Sequence, residues 1–351
     1  MGRHHPRHRR PRRLSTHPSN QTDTRPRLDT DKTTSKRPCV LLRLPFLHPW
    51  RDVLEHDFRL LTPANAAEEQ ALIDSEGANI RAIVTNATYG APGALLAQLP
   101  ALEMIAVFSA GYEGLDVAGA RARGLALSHG PGANAAAVAD LAFGLMLGLL
   151  RQLPQRDRLI RTGAWQEIRG ITRTLSGKRL GLLGLGQVGQ AIARRAQGFE
   201  MTVSYCKPSG AASAVSQHGW QYQADLTHLA EQSDVLVVAC PGGPGTQHLV
   251  NARVLQALGR QGWLINISRG SVVDTEALIA ALQNGTIAGA GLDVYENEPQ
   301  VPLALRSLDN VLLQPHVAGF TEEAFAAGMD LVRRNLLAHF SGQPLITPIP
   351  V

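Results

Sequence analysis

With 351 residues, 44% of them hydrophobic, the chain has enough apolar material for two domains with separate cores. No apolar run reaches membrane-spanning length: the longest, Val138 to Leu150, is interrupted by Asp140 and followed by Arg151, so it reads as a buried helix. The formal net charge of +5 is misleading for the folded part. Met1 to Arg37 holds eleven Arg and Lys against three Asp, a surplus of eight, which leaves the remainder at a net −3 and gives no case for a nucleic-acid surface there.

Residues 1–37 carry too few apolar residues to fold and lack the hydrophobic core of a secretory signal. They are expected to be a disordered basic tail, or a stretch upstream of the true start, with transient binding to nucleic acid or acidic surfaces as the sharper alternative. Cys39, Cys206 and Cys240 have no metal-ligand spacing and sit at or near apolar strands. They read as buried, reduced thiols of a cytoplasmic protein, and no metal is expected.

Ordered structure is predicted from a strand at Cys39 to Leu44. A proline-marked loop, Pro45 to Pro49, and a short helix carrying Val53, Leu54 and Phe58 follow. Phe46 is equally a core residue or a wall of a ligand pocket. Ile80 to Thr85 and Met104 to Phe108 read as buried strands, with Pro92 to Gln98 helical between them, an alternation that argues for a parallel α/β sheet. The second of these strands runs into Ser109-Ala110-Gly111-Tyr112, a small-residue loop at the end of a strand where open α/β sheets bind ligands. Its backbone N–H groups suit a carboxylate, and its plain alternative is a turn.

Asn134 to Leu150 is apolar on nearly every face, so the helix it predicts must be buried between domains or between subunits. A polar segment, Arg151 to Leu175, leads onward, with Trp165 as a packing anchor. Lys178 to Lys207 then reads as strand, glycine turn, helix and strand. The apolar run Arg179 to Leu183 breaks at Gly184-Leu185-Gly186-Gln187-Val188-Gly189. In such a turn the first glycine allows the bend, the second lets a pyrophosphate approach the backbone, and the third lets the helix pack closely on the strand. The unpaired N–H groups at the helix start face the phosphates. A glycine pattern alone is weak, but its placement between a strand and a helix, with Met201 to Tyr205 as the next strand, makes it a dinucleotide signal.

Further strands are predicted at Asp234 to Ala239, Trp263 to Asn266, Ala288 to Leu292 and Val311 to Gln314, with a helix ending at Leu229 to Ser233 and another over Asp274 to Asn284. Each strand ends in a polar or glycine-rich group, so one rim collects Cys206, Pro241, Arg269, Asp293 and His316. Thr246 and Ser268, with Gln187 and Val188, complete the cofactor candidates. Arg269, Glu298 and His316 form a working set for reducing a 2-keto acid. A guanidinium grips the carboxylate with two prongs and polarises the carbonyl. An imidazolium donates the proton as hydride arrives. A carboxylate beside that imidazole favours its charged form and fixes its orientation.

From residue 39 to the C-terminus, with the segments GLLGLGQVGQAIARRAQGF, INISRGSVVDTEALIAALQNGTIAGAGLDVYENEP and LLQPHVAG, the chain resembles the D-isomer-specific 2-hydroxyacid dehydrogenase family. The resemblance implies two doubly wound parallel-sheet domains, a Rossmann cofactor domain over 134–316 inserted in a split flavodoxin-like substrate domain, 38–133 with 317–351. It makes Arg269 the substrate-gripping arginine, Glu298 the histidine-orienting glutamate and His316 the acid/base. Ala110 and Gly111 become the carboxylate-binding loop, and Asp293 the holder of the nicotinamide carboxamide. A homodimer built around the Asn134 to Leu150 helix is implied as well.

TVSYCKPSG, VVACPGGPGTQHLV and the ENEPQVP segment look most like the glyoxylate/hydroxypyruvate reductases and the related hydroxyphenylpyruvate reductases. No regulatory domain is appended after His316, and Glu298 stands where a formate dehydrogenase has glutamine. Glu113 stands where many relatives have Asp, a conservative change. At the end of the second strand of the dinucleotide unit, where an NAD-preferring member has an acid, this chain has Cys206 and Lys207. Loss of the acid removes repulsion toward a 2′-phosphate, and Lys207 with Ser209 could attract one, so NADP(H) is expected to be preferred, with NAD(H) possible. The expected activity is NADPH-dependent reduction of small 2-keto acids to D-2-hydroxy acids. The alternative is a dinucleotide-sensing, corepressor-like binding protein of the same fold.

Overall fold

The computed structural model of the chain describes residues 37–166, 169–207, 210 and 218–350. The predicted basic tail up to Lys36, and Ser209, lie outside the described residues. Among the described residues, twelve parallel strands form two sheets within the one compact unit that runs from Arg37. The first sheet holds β1 (Cys39–Leu42), β2 (Arg59–Leu61), β3 (Ile80–Thr85), β4 (Met104–Val107) and β5 (Ala126–Ser128), in the order β2-β1-β3-β4-β5. This is the flavodoxin-like order. The second holds β6 (Arg179–Leu183), β7 (Thr202–Cys206), β8 (Gln221–Tyr222), β9 (Val235–Val238), β10 (Trp263–Asn266), β11 (Gly289–Leu292) and β12 (Val311–Leu313). Their order, β12-β11-β10-β9-β6-β7-β8, is the Rossmann order with one strand added, and it reverses between β6 and β9.

The strands are apolar runs because both faces of each sheet are covered. Leu180, Leu182, Val235, Val237 and Ile265 pack with the Ala135–Leu150 and Gln187–Gln197 helices on one face. Leu183, Leu236, Val238 and Leu264 pack under the Thr275–Gln283 helix on the other. In the first sheet, Val40, Leu42, Ala82 and Val84 are covered by Phe325, Met329, Val332 and Leu336. These belong to the helix Glu322–Phe340, so the C-terminal segment returns to the sheet begun at residue 39.

Strand boundaries fall within one or two residues of those predicted. The loop expected at Pro45 to Pro49 is a 3-10 helix, Pro45–Trp50, and the helix after it ends at Glu55, leaving Phe58 buried beyond it. The polar segment after Arg151 contains a helix, Leu153–Arg161. One expectation about burial is corrected: Trp165, read as a packing anchor, is 61% exposed. On the Ala135–Leu150 helix, Ala136, Asp140 and Gly144, four residues apart, form an exposed stripe within the single chain. Among the described residues no single helix is long and apolar enough to cross a membrane.

Candidate active site

The glycine turn after β6 has the geometry its spacing requires. Gly184 has φ +104°, and a Cβ there would lie 2.7 Å from the Cys240 backbone nitrogen. A Cβ on Gly189 would strike the Gly184 carbonyl oxygen, so this residue sets how closely the Gln187–Gln197 helix packs. Above Gly186 there is nothing within 4 Å of a hypothetical Cβ. The open space therefore lies at the start of an eleven-residue helix, where free N–H groups and the positive end of the helix dipole favour a phosphate. Gln187 and Val188 occupy that first turn.

Arg269 follows β10, Asp293 and Glu298 follow β11, and His316 follows β12, so the carboxyl ends of three adjacent strands deliver the catalytic candidates to one place. Arg269, Glu298 and His316 line a cavity of about 340 Å³, together with Ala110, Gly111 and Asn134. His316 Nδ1 is 2.7 Å from Glu298 Oε2. A carboxylate can only accept, so Nδ1 carries the proton and Nε2 is the edge left for a substrate. Glu298 Oε1 accepts the Tyr295 N–H at 2.9 Å. Burial alone would raise the Glu298 carboxyl, but the bonds from His316 and Tyr295, with the positive charges of His316 and Arg269, outweigh it and hold its pKa below the ordinary carboxylate value.

His316 has a left-handed backbone, φ +56°, and three contacts from Asp293 hold it there. The His316 N–H donates to the Asp293 carbonyl at 2.7 Å, and the Asp293 carboxylate accepts from Val317 N–H at 2.8 Å and Ala318 N–H at 2.9 Å. Asp293 is 1% exposed, and burial raises its carboxyl pKa despite those N–H bonds. This bracing of the histidine loop was not visible in the sequence. The buried Asn266, also unsuspected, does the same for Arg269: its Oδ1 accepts from Ser268 N–H at 3.1 Å and its Nδ2 donates to the Arg269 carbonyl at 3.0 Å. An asparagine at the last position of β10, just before the Ser268-Arg269 turn, was the available signal.

The Ser109–Gly111 loop has all three carbonyls engaged. Ser109 O accepts from Gly130 N–H at 2.9 Å, Ala110 O from His129 Nδ1 at 2.8 Å, and Gly111 O from Ser109 Oγ at 2.7 Å. The N–H groups of Ala110 and Gly111 have no acceptor among the described residues. Successive free N–H groups on the wall of a cavity are an anion nest. Phe46, Phe108, Phe320 and Phe325 form the apolar side of the same cavity. Phe46 stands 5.8 Å, centroid to centroid, from both Phe320 and Phe325, so it is pocket wall and aromatic cluster at once.

The other cofactor candidates follow β7 and β9. Cys206 is buried in the core, with Sγ against the Ala224 carbonyl, and burial raises its thiol pKa. Lys207 is half-buried beside it. Thr246 Oγ1 donates to the Pro241 carbonyl at 2.9 Å and closes that loop. Ser268 Oγ donates to the Cys240 carbonyl. Among the described residues no cluster of His, Cys, Asp or Glu could hold a metal ion.

Residues 143–318 match the family model described as D-isomer specific 2-hydroxyacid dehydrogenase, NAD binding domain. The chain is similar to a glyoxylate/hydroxypyruvate reductase of Arabidopsis thaliana, 42% identical over 315 residues, which cover 88% of this chain and 98% of that protein. It is similar to a hydroxyphenylpyruvate reductase of Plectranthus scutellarioides, 40% identical over 312 residues, 88% and 98% of the two chains. Among solved structures it resembles an NADPH-dependent glyoxylate/hydroxypyruvate reductase from Sinorhizobium meliloti, determined with NADP and malonate. The TM-score is 0.79 and the identity 40%, over 89% of this chain and 97% of that one.

Proposed function

The chain belongs to the D-isomer-specific 2-hydroxyacid dehydrogenase family, and on that premise we propose how its own residues carry out the reduction of a 2-keto acid to a 2-hydroxy acid. It is an NAD(P)-dependent reductase of the glyoxylate/hydroxypyruvate type, with NADP(H) preferred and NAD(H) possible. The observation that carries the reading is the meeting of Arg269, the Glu298–His316 pair and the free N–H groups of Ala110 and Gly111 on one cavity.

In this reading the Ala110 and Gly111 N–H groups and the Arg269 guanidinium hold the substrate carboxylate, and Arg269 also polarises the adjacent carbonyl. The nicotinamide cofactor, when bound, supplies the hydride. His316 gives its Nε2 proton to the carbonyl oxygen as the carbon becomes tetrahedral, and Glu298, bonded to Nδ1, keeps its ring in place. The Gln187–Gln197 helix start, open above Gly186, takes the pyrophosphate, and Lys207 takes the 2′-phosphate. Asp293, whose carboxylate already accepts from Val317 and Ala318, would hold the nicotinamide carboxamide.

The segments 38–133 and 317–351 are assigned to the substrate domain and 134–316 to the cofactor domain, in a cytoplasmic homodimer. Support for the dimer comes from the exposed Leu153, Ile160, Trp165 and Ile171, apolar surface of the kind a second copy covers, just beyond the exposed stripe of Ala136, Asp140 and Gly144. The sensor reading rests on the basic tail, which lies outside the described residues. A steady-state panel of glyoxylate, hydroxypyruvate and phenylpyruvate with NADPH and with NADH tests the whole proposal. Turnover with NADPH favoured is expected. Slow conversion of every acid would support a sensor, and a clear NADH preference would remove the role given to Lys207.

A further inference from the structure

Arg269 is held on two of its three nitrogens. Nη1 donates to the Ser268 carbonyl at 2.8 Å, and Nε donates to Glu113 Oε1 at 3.2 Å. Glu113 lies in the loop after β4 of the five-stranded sheet, whereas Arg269 follows β10 of the seven-stranded one. The pair therefore crosses the cleft. A guanidinium has five N–H donors. The two bonds use the Nε–H and one Nη1–H, which leaves the second Nη1–H and both Nη2–H groups without a partner among the described residues.

Gly111 reports where the pair lies. A Cβ added there would strike Arg269 Nη2 and the Glu113 carboxylate, so both groups of the pair lie against Gly111 of the anion nest. Arginine has several rotatable bonds and loses entropy when fixed. A charge-assisted bond to Nε, from a carboxylate that itself lies beside Gly111, holds it and leaves Nη2 without a hydrogen-bond partner among the described residues.

We propose that Glu113 is a positioning residue of the reductase: reaching across the cleft, it fixes Arg269 by its Nε side so that the Nη edge and the Ala110–Gly111 N–H groups form one preorganised carboxylate site. This rests on the reading of Arg269 as the carboxylate-binding residue. Glu113 does not touch the reacting carbonyl, so its loss acts on keto-acid binding rather than on the chemical step.

The test is steady-state reduction of glyoxylate and hydroxypyruvate by the full chain at saturating NADPH, with NADPH binding followed by fluorescence. Glu113→Ala is expected to raise the keto-acid KM about fivefold, the scale of a half-exposed ion pair, with kcat changed by less than about twofold. NADPH affinity should hold, and Glu113→Gln, which keeps an acceptor oxygen, should lie between wild type and Glu113→Ala. In an Arg269→Ala background, Glu113→Ala should add nothing further. An unchanged KM would overturn the proposal. So would a lowered one, which would make Glu113 a competitor of the substrate. Parallel loss of KM, kcat and NADPH binding would mark a merely structural role and overturn it too. If Arg269→Ala itself leaves KM unchanged, the reading of Arg269 fails; if it raises KM and Glu113→Ala does not, only the positioning role fails.

Discussion

The carboxylate of Glu298 is shared between two donors: Oε2 meets His316 Nδ1 at 2.7 Å, and Oε1 accepts the Tyr295 N–H at 2.9 Å. The backbone bond aims the carboxylate, and the carboxylate aims the imidazole. Glu298→Gln keeps the shape but loses the negative charge beside the imidazole. It is expected to lower kcat for reduction by between about 10- and 1000-fold, part of the range a general acid contributes, with NADPH affinity unchanged. Stopped-flow reduction and NADPH titration on the same variant separate the two.

Asp293 makes a different demand. Both of its oxygens accept N–H groups of the histidine loop, and an asparagine can satisfy only one of them. Asp293→Asn should leave a buried N–H facing an amide NH₂, at a cost of about 1–3 kcal/mol. Urea unfolding without cofactor measures this free of any effect on the nicotinamide. A variant as stable as wild type would mean that the loop does not depend on the carboxylate.

Gly186 and Gly189 should respond in opposite ways. Space above Gly186 is open, whereas a Cβ on Gly189 meets the Gly184 carbonyl. Gly186→Ala is therefore expected to fold with wild-type stability and to weaken NADPH binding by at least about tenfold, because the added methyl stands where the pyrophosphate approaches. Gly189→Ala should itself be destabilised, by about 1–3 kcal/mol, as overpacked sites are. Thermal unfolding and NADPH titration of the pair distinguish these effects.

His248 supplies a pH dependence. Its Nε2 lies 2.7 Å from Glu296 Oε1, and that hydrogen bond, helped by the charges of Glu296 and Asp274, raises the imidazole above the ordinary histidine value. For a raised pKa the stabilisation is fully present below the unfolded-state value and disappears as pH rises through the folded-state one. The pair ties the Pro241–His248 loop to the Tyr295–Glu298 turn. Over that window NADPH affinity of the wild type should fall about two- to threefold more than that of His248→Gln, a modest change suited to an exposed pair. Identical pH profiles would show that the pair does not hold the loop.

The Rossmann unit was legible because its signals are local. Gly184, Gly186 and Gly189 lie between an apolar strand and a helix, and each has the neighbours its position in the turn implies. Arg269, Glu298 and His316 were legible as residue types at strand ends, and strand order then placed them on one cavity. The residues that brace them were not. Glu113 reaches Arg269 over a separation of 156 residues, and the Asp293 carboxylate spends its bonds on backbone N–H groups, which leave no mark in side-chain chemistry. Strands β2, β5 and β8 are two or three residues long and exist because a neighbouring strand pairs with them, not because of their own composition. Trp165 misled because a large aromatic residue is usually a packing anchor, whereas here it is 61% exposed.

Keto-acid reduction depends most directly on His316 as the proton donor. Stopped-flow measurement of keto-acid reduction by His316→Ala, with NADPH affinity determined in parallel, is expected to show kcat lower by about 10²–10⁴-fold and unaltered NADPH binding. Turnover at the wild-type rate, or a loss of rate fully explained by lost NADPH binding, would contradict it.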